Sequence, residues 1–363
     1  MFTLSPGPSQ ISPETKDDIR KAIDEGILEI SHRSSRFTDI SRLCIQELRA
    51  YLNVPADYRI FYFDSATHVW HSLAANVVEK SSFHFVNGSF SGKAMQASKM
   101  LGKDAHAVEA PWGEQCDFAS ALVPKDAELI TVCCNETSTG VKMTDDEIRL
   151  LREKYPDAIL AVDITSCGGG IPLSMTNADV WYFSVQKCFG LPAGLAICIV
   201  SPLAYARSLD LQKAGKNLAG IWAWGALEEM MSNDLYQTPQ TPNVMNIYLL
   251  GSQCQRWNKS GGLSKCVETT LKKKWIFEEW MQGRMGCAYF VQDEEHRSDT
   301  VFVVGAAQDN IKSARELLQK KGIELGTGYG RIKKDTFRIA NFPAITESML
   351  LESLDILSLH FPK

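Results

Sequence analysis

DVWYFSVQKCFGLPAG, residues Asp179–Gly194, decides the fold. Asp179–Val185 is an apolar, aromatic and β-branched run of strand character, and glycine and proline beyond it impose a turn. Lys187 stands between the two. Ordinary lysines occupy solvated helix faces, whereas an amine at the end of a buried strand loses hydration, its pKa falls, and it becomes a nucleophile. A strand-terminal lysine that merely reaches solvent has the same local signature, so the surrounding chain has to discriminate.

Working outward, the same grammar recurs. Ile159–Val162 reads as a strand ending in Asp163, and Leu195–Val200 as another. Upstream, Leu129–Cys134 is a strand followed by the polar turn Asn135–Gly140 and a capping-box helix start near Thr144 and Glu147. Phe83–Asn87 is a strand followed by Gly88–Gly92 and a helix through Leu101, and Arg59–Phe63 a strand followed by Asp64–His68 and a helix over Val69–Val78. Strands alternating with helices predict an α/β domain with a mainly parallel sheet. Thr67, Phe90, Thr137, Asp163 and Lys187 all follow strand ends, where open sheets place ligands. A carboxylate such as Asp163 in an apolar neighbourhood is costly unless it meets a cation or hydrogen-bond donors. Gly168-Gly169-Gly170 does not match a dinucleotide fingerprint and opens no helix. His68 and His71 lack a third ligand at suitable spacing, so no metal is expected.

The ends of the chain read differently. Leu4–Pro13 is rich in proline and predicts an arm lying over the surface, and Ser12 before Pro13 and Glu14 predicts a helix start. In Ile27–Phe37, His32 and Arg33 stand among serines, as an anion site or as a capped loop. Beyond Val200 the alternation loosens, and Tyr236–Pro242 is irregular. A second unit contains a strand at Val301–Val304, a helix at Ile311–Lys321, a strand at Thr336–Asn341 carrying Arg338, and a closing helix at Ser348–Leu359. The expected division is an arm over 1–14, a large domain over 15–245 and a small α+β domain over 246–363.

The composition, 45% apolar and 22% charged with net charge −5, is that of a globular protein and gives no support to nucleic-acid binding. Lys272–Lys274 is followed by Trp275, Phe277 and Trp280 at helical spacing, so a helix with one solvated side is expected. Neither a secretory signal nor an apolar run of membrane-spanning length is visible. The ten cysteines include no C-x-x-C pair, and several lie inside apolar runs. A reduced, cytoplasmic protein is expected.

In order along the chain, Pro6-Gly7-Pro8, Glu29-Ile30-Ser31-His32-Arg33-Ser34, Asn135-Glu136-Thr137, Asp163, Gln186-Lys187, Thr238-Pro239 and Arg338 resemble the motifs of class V, fold type I pyridoxal-phosphate aminotransferases, and among them the phosphoserine aminotransferases. The resemblance spans almost the whole chain. It implies that Lys187 is the Schiff-base lysine and acid–base catalyst, and that Asp163 pairs with the pyridine nitrogen. Phe90 would stack on the ring, and Thr137 would bond near its 3-hydroxyl. Ala66, Thr67 and Gln186 would hold the cofactor phosphate, joined by Gln237 and Thr238 from the partner of a homodimer. Arg338 would grip the substrate carboxylate, and His32 with Arg33 a substrate phosphate. The reaction implied passes the amino group of L-glutamate to 3-phosphohydroxypyruvate, giving O-phospho-L-serine and 2-oxoglutarate.

Three positions depart from that pattern. Phe90 stands where the family usually has Trp, and Gln237 where it usually has Asn. The usual His-Arg pair before the carboxylate arginine is replaced by Tyr329-Gly330-Arg331-Ile332, which looks more like alanine–glyoxylate and serine–pyruvate aminotransferases and leaves Arg331 as candidate for the missing charge. Those enzymes are the alternative reading. Cysteine desulfurases usually carry His where Gln186 stands, and a cofactor-free scaffold would leave Lys187 and Asp163 poorly compensated.

Overall fold

Along Val180–Ser184 the side chains alternate, Trp181 and Phe183 entering one core and Val180 and Tyr182 another. Ala161 and Ile159 oppose Leu160 and Val162 in the same way. These runs are apolar throughout because both faces of their sheet are covered.

The computed structural model describes all residues, Met1–Lys363. The chain begins with β1 (Phe2–Thr3), α1 (Pro13–Asp24), α2 (Ser35–Leu52), β2 (Arg59–Phe63), α3 (Ala66–Val77), β3 (Ser81–Val86), α4 (Ser89–Met100) and β4 (Asp104–Glu109). It continues through β5 (Leu129–Cys133), the hairpin β6 (Asn135–Glu136) and β7 (Val141–Lys142), α5 (Asp145–Lys154), β8 (Ile159–Asp163), β9 (Val180–Ser184) and β10 (Ala196–Val200). Then follow α6 (Pro202–Lys213), α7 (Trp224–Met231), α8 (Val244–Lys259) and α9 (Gly262–Met281). The last part contains β11 (Cys287–Tyr289), β12 (Val301–Ala306), α10 (Gln308–Lys320), β13 (Ile323–Glu324), β14 (Gly326–Thr327), β15 (Thr336–Ala340) and α11 (Glu347–Ser358).

Seven strands form the main sheet in the order β2-β10-β9-β8-β5-β3-β4. Only β10 runs against its neighbours, pairing antiparallel with β2 and β9. The fold is therefore the expected α/β arrangement, a mixed and mostly parallel sheet flanked by helices. A four-stranded sheet, β11-β12-β15-β14, carries Arg338 on β15 and packs with α9, α10 and α11 around a separate core.

Local signals held where they were backbone chemistry. Ser12 caps α1 with Pro13 in its first turn, and Thr144 and Glu147 form the reciprocal capping box of α5. Edge strand β4 has no counterpart in the sequence reading. Its residues are exposed or half-buried, so no apolar run marks it. The solvated side expected of the helix over Lys272–Lys274 holds at Lys272, whereas Lys273 is 0% exposed and donates to Phe342 O at 2.8 Å and Ile345 O at 2.7 Å. Trp275 also faces outward, 61% exposed.

The arm is corrected too. β1 pairs parallel with β13, Leu4 is fully buried in the small-domain core, and Ala340 N donates to Leu4 O at 2.8 Å. A few residues later Ser9 N reaches Gln186 O at 3.0 Å and Ser9 Oγ reaches Lys187 O at 2.8 Å. A short segment with backbone groups to satisfy thus threads between the cores. The division expected at 245/246 falls in the first turn of α8, whose Ile247, Leu249, Leu250 and Cys254 join the first core, while Phe277, Trp280 and Met281 of α9 join the second.

Phe183 is fully buried and stacks on Phe189 with ring centroids 4.8 Å apart. Phe183→Ala is expected to destabilise the protein by about 3–5 kcal/mol, measured by denaturant unfolding.

Candidate active site

Three charged side chains converge beyond the carboxyl ends of the central strands. Asp163 closes β8, 6% exposed, its Oδ1 accepting from Thr165 N at 2.8 Å and its Oδ2 from Trp70 Nε1 at 3.4 Å. Burial pushes its carboxyl up to about 6, against the opposing pull of these donors. Lys187 follows β9, and its amine donates to Pro6 O of the arm. Desolvation first, and the Arg338 charge second, lower its pKa to about 8, while Asp163 pulls the other way. A Cβ at position 7 would overlap the Lys187 amine, which explains the glycine of Pro6-Gly7-Pro8.

Arg338 arrives from the small domain. Its Nε donates to Thr327 O at 2.6 Å and its NH1 to Thr137 O at 2.9 Å, with no carboxylate paired to it. Burial lowers its pKa to about 10. Phe90, in the first turn of α4, presents its ring 5.9 Å from the Lys187 amine and 5.1 Å from the ring of Tyr329. Tyr329 lies 5.4 Å beneath the Arg338 guanidinium and accepts from Lys93 Nζ at 3.0 Å. The fold thus assembles Asp163, Lys187, Gln186, Phe90, Thr137 and Arg338.

At the start of α3, Ser65 caps His68 N, and Ala66 N donates to Ser184 Oγ at 2.7 Å. Ala66 is thereby committed within the protein, while Thr67 is exposed in the first turn, where backbone N–H groups have no intrahelical carbonyl. The other expected residues gather elsewhere. Arg33 donates to Gln237 Oε1 at 3.2 Å, Thr238 O at 2.8 Å and Pro239 O at 3.2 Å of its own chain. Thr238 Oγ1 donates to Gln240 O at 2.6 Å. His32 adjoins this group, its pKa lowered by burial and by Arg33. No hydrogen bond connects the cluster with Lys187. Arg331 is exposed and lies over Trp112 at 4.6 Å. A wide cleft of about 1200 Å³ contains none of these charged residues and runs between Trp112–Ala119, α5 and Phe290–His296.

The residues around Lys187 suit pyridoxal phosphate. Asp163 is a buried carboxylate without a salt-bridge partner, a place for a protonated ring nitrogen. Thr165 Oγ1, two residues after Asp163, and Gln186 Oε1, one residue before Lys187, are buried without a hydrogen-bond partner. Trp70, Ser184, Glu136 and Tyr329 complete the surroundings and were not singled out in sequence. In sequence Trp70 has the signature of one more apolar helix residue, and Glu136 that of a polar turn residue.

The chain matches the family Aminotransferase class-V over residues 1–331. It is 30% identical over 356 residues to the phosphoserine aminotransferase of Corynebacterium glutamicum, covering 93% of this chain and 89% of that protein. The crystal structure of a phosphoserine aminotransferase from Cytophaga hutchinsonii superposes with a TM-score of 0.94 at 33% identity, covering 99% of this chain and 98% of that one. Ureidoglycine-glyoxylate aminotransferase from Bacillus subtilis shares the fold at 20% identity, with a TM-score of 0.85 over 99% of this chain and 92% of that one. The chain belongs to the class V aminotransferase family. It is a transaminase whose cofactor is pyridoxal 5'-phosphate.

In the cofactor-free protein, acetylation of Lys187 followed by peptide mass spectrometry is expected to titrate near pH 8, the free amine growing as pH rises through that value. A midpoint at the ordinary 10.5 would contradict the desolvated site.

Proposed function

We propose that the protein transfers the amino group of L-glutamate to 3-phosphohydroxypyruvate, forming O-phospho-L-serine and 2-oxoglutarate in serine biosynthesis. The observation that carries this reading is the convergence of Lys187, Asp163 and an unpaired Arg338 on one buried site. Phosphoserine aminotransferases among the similar proteins support the choice of substrate.

When bound, pyridoxal phosphate supplies an aldehyde for the amino group and a ring that takes up the electron pair left at Cα. Asp163 holds the proton on the ring nitrogen, and its buried place strengthens that charge pair. Phe90 stacks against the ring, Thr137 bonds near its 3-hydroxyl, and Gln186 with the first-turn N–H of Thr67 receives the phosphate. Arg338 binds the substrate α-carboxylate through its unpaired guanidinium edge, a charge-assisted contact strengthened by burial. Lys187, its proton affinity lowered towards neutrality, would take the proton from the substrate Cα and deliver it to the former aldehyde carbon of the cofactor, on the far side of the shared nitrogen. Pro6 O receives the amine whenever Lys187 is not otherwise engaged.

The separate cluster of Arg33, Gln237 and Thr238 suits a homodimer in which it completes the partner's site. His32 and Arg33 then supply the charge for the substrate phosphate, with Gln237 and Thr238 at the cofactor phosphate. Arg331 lies on the side of Trp112 as a further cation near the mouth. No helix is long and apolar enough to cross a membrane, and a cytoplasmic setting fits the ten free cysteines.

Lys187→Ala is expected to lower transamination by at least about 10²-fold, measured with glutamate and 3-phosphohydroxypyruvate. Turnover of alanine or serine with glyoxylate, but none with that pair, would favour the alanine–glyoxylate or serine–pyruvate alternative. Arg33→Ala is expected to raise KM for the phosphorylated substrate about tenfold or more. Mixing R33A and K187A dimers under subunit exchange is expected to restore activity, since the mixed dimer keeps one complete site. Absence of any recovery would place Arg33 in the site of its own chain.

A further inference from the structure

Glu136 is 0% exposed and has no cation within ion-pair distance, yet both of its oxygens are occupied. Oε2 accepts from Phe90 N at 3.0 Å, Ser91 N at 2.9 Å and Ser91 Oγ at 3.0 Å. Oε1 accepts from Ser138 N at 3.1 Å and Ser138 Oγ at 2.6 Å. Ser138 Oγ in turn accepts from Ser89 N at 2.9 Å, closing a ring between two segments. A Cβ at Gly88 would overlap the Glu136 side chain, so the preceding glycine admits it.

The arrangement is that of an anion bound at a helix N-terminus, except that the anion belongs to the protein. α4 therefore offers its first N–H groups to Glu136, and at the start of α3, where Ala66 N is bonded to Ser184 Oγ and His68 N to Ser65, the Thr67 N–H is the one left open. The carboxylate joins the turn bearing Phe90 to the turn bearing Thr137. Thr137 O is also the acceptor of Arg338 NH1, so one buried group touches the supports of three proposed contacts.

We infer that Glu136 is a positioning residue of the transaminase: its carboxylate fixes Phe90 against the cofactor ring and fixes the Thr137 turn on which Arg338 rests. The inference rests on the pyridoxal-phosphate reading of the site but not on which oxo acid is used. Both oxygens only accept, so glutamine preserves the shape and fails chemically. Its amide NH2 must face either the donors of Phe90 and Ser91 or those of Ser138.

The test is Glu136→Gln in the full-length holoenzyme, with Ser138→Ala as a second variant that removes one donor and the link to Ser89 while leaving the carboxylate in place. A visible absorbance band that borohydride abolishes in the unsubstituted protein establishes the cofactor independently; its absence would overturn the pyridoxal-phosphate reading itself. E136Q is expected to weaken the visible circular dichroism of the bound cofactor, which reports ring orientation, and to lower kcat of the glutamate half-reaction about tenfold or more. In the cofactor-free protein, hydrogen exchange of the Phe90 and Ser91 amides should accelerate. S138A should change the same signals in the same direction by less. Wild-type visible circular dichroism and amide exchange in a folded E136Q overturn the inference, and if E136Q does not fold, wild-type values in S138A overturn it.

Discussion

Four charges held together, with Asp163, Glu136 and Arg338 buried and Lys187 half-buried beside them, are the constraint on which the site depends. Lys187 and Arg338 bring positive charge, Asp163 and Glu136 negative charge, and the other three all act on the proton affinity of Lys187. None forms an ion pair within the group. Glu136 is satisfied by backbone and hydroxyl donors, Arg338 by carbonyls, Lys187 by the arm, and Asp163 by one amide and one indole. Unpaired burial of this kind is costly in a protein without ligands. Here it leaves the amine of Lys187 deprotonated more readily, the guanidinium edge free for a carboxylate, and Asp163 ready for a cation.

The scaffold makes that arrangement possible by keeping charge out of the interiors of β8 and β9. β8 and β9 are apolar on both faces, and the functional groups begin where pairing ends, at Asp163 and at Gln186-Lys187. The arm contributes in the opposite way, through its backbone. By bonding Gln186 and Lys187 on one side and Glu324 and Ala340 on the other, it ties the catalytic loop to the domain that carries Arg338. A strap of this type makes the distance between Lys187 and Arg338 a property of the whole fold rather than of either domain.

Much of this was legible in the chain. Apolar continuity located β5, β8, β9 and β10, capping chemistry located the starts of α1 and α5, and strand ends located Asp163 and Lys187. Misread elements share a cause: their partners are distant in sequence. Lys273 sits among lysines on a helix that looks solvated, and only the Phe342–Ile345 turn, some seventy residues later, accepts its protons. Leu4 is one apolar residue in a proline-rich arm until β13 pairs beside it. β4 carries almost no buried side chains, so its pairing with β3 leaves no periodic mark.

The sequence by itself determined the α/β alternation, the apolar strands and the identity of the lysine and aspartate at their ends, because those follow from local periodicity and from the chemistry of single side chains. Only the tertiary structure decided that Glu136 closes the start of α4, that Ala66 N is taken by Ser184, and that Arg33 groups with Gln237 and Thr238 away from Lys187. The physical reason is that a hydrogen bond or a buried charge is defined by its partner. Those partners lie 46 residues apart for Phe90 and Glu136 and 204 apart for Arg33 and Gln237, and are brought together only by the folded sheet and its two cores.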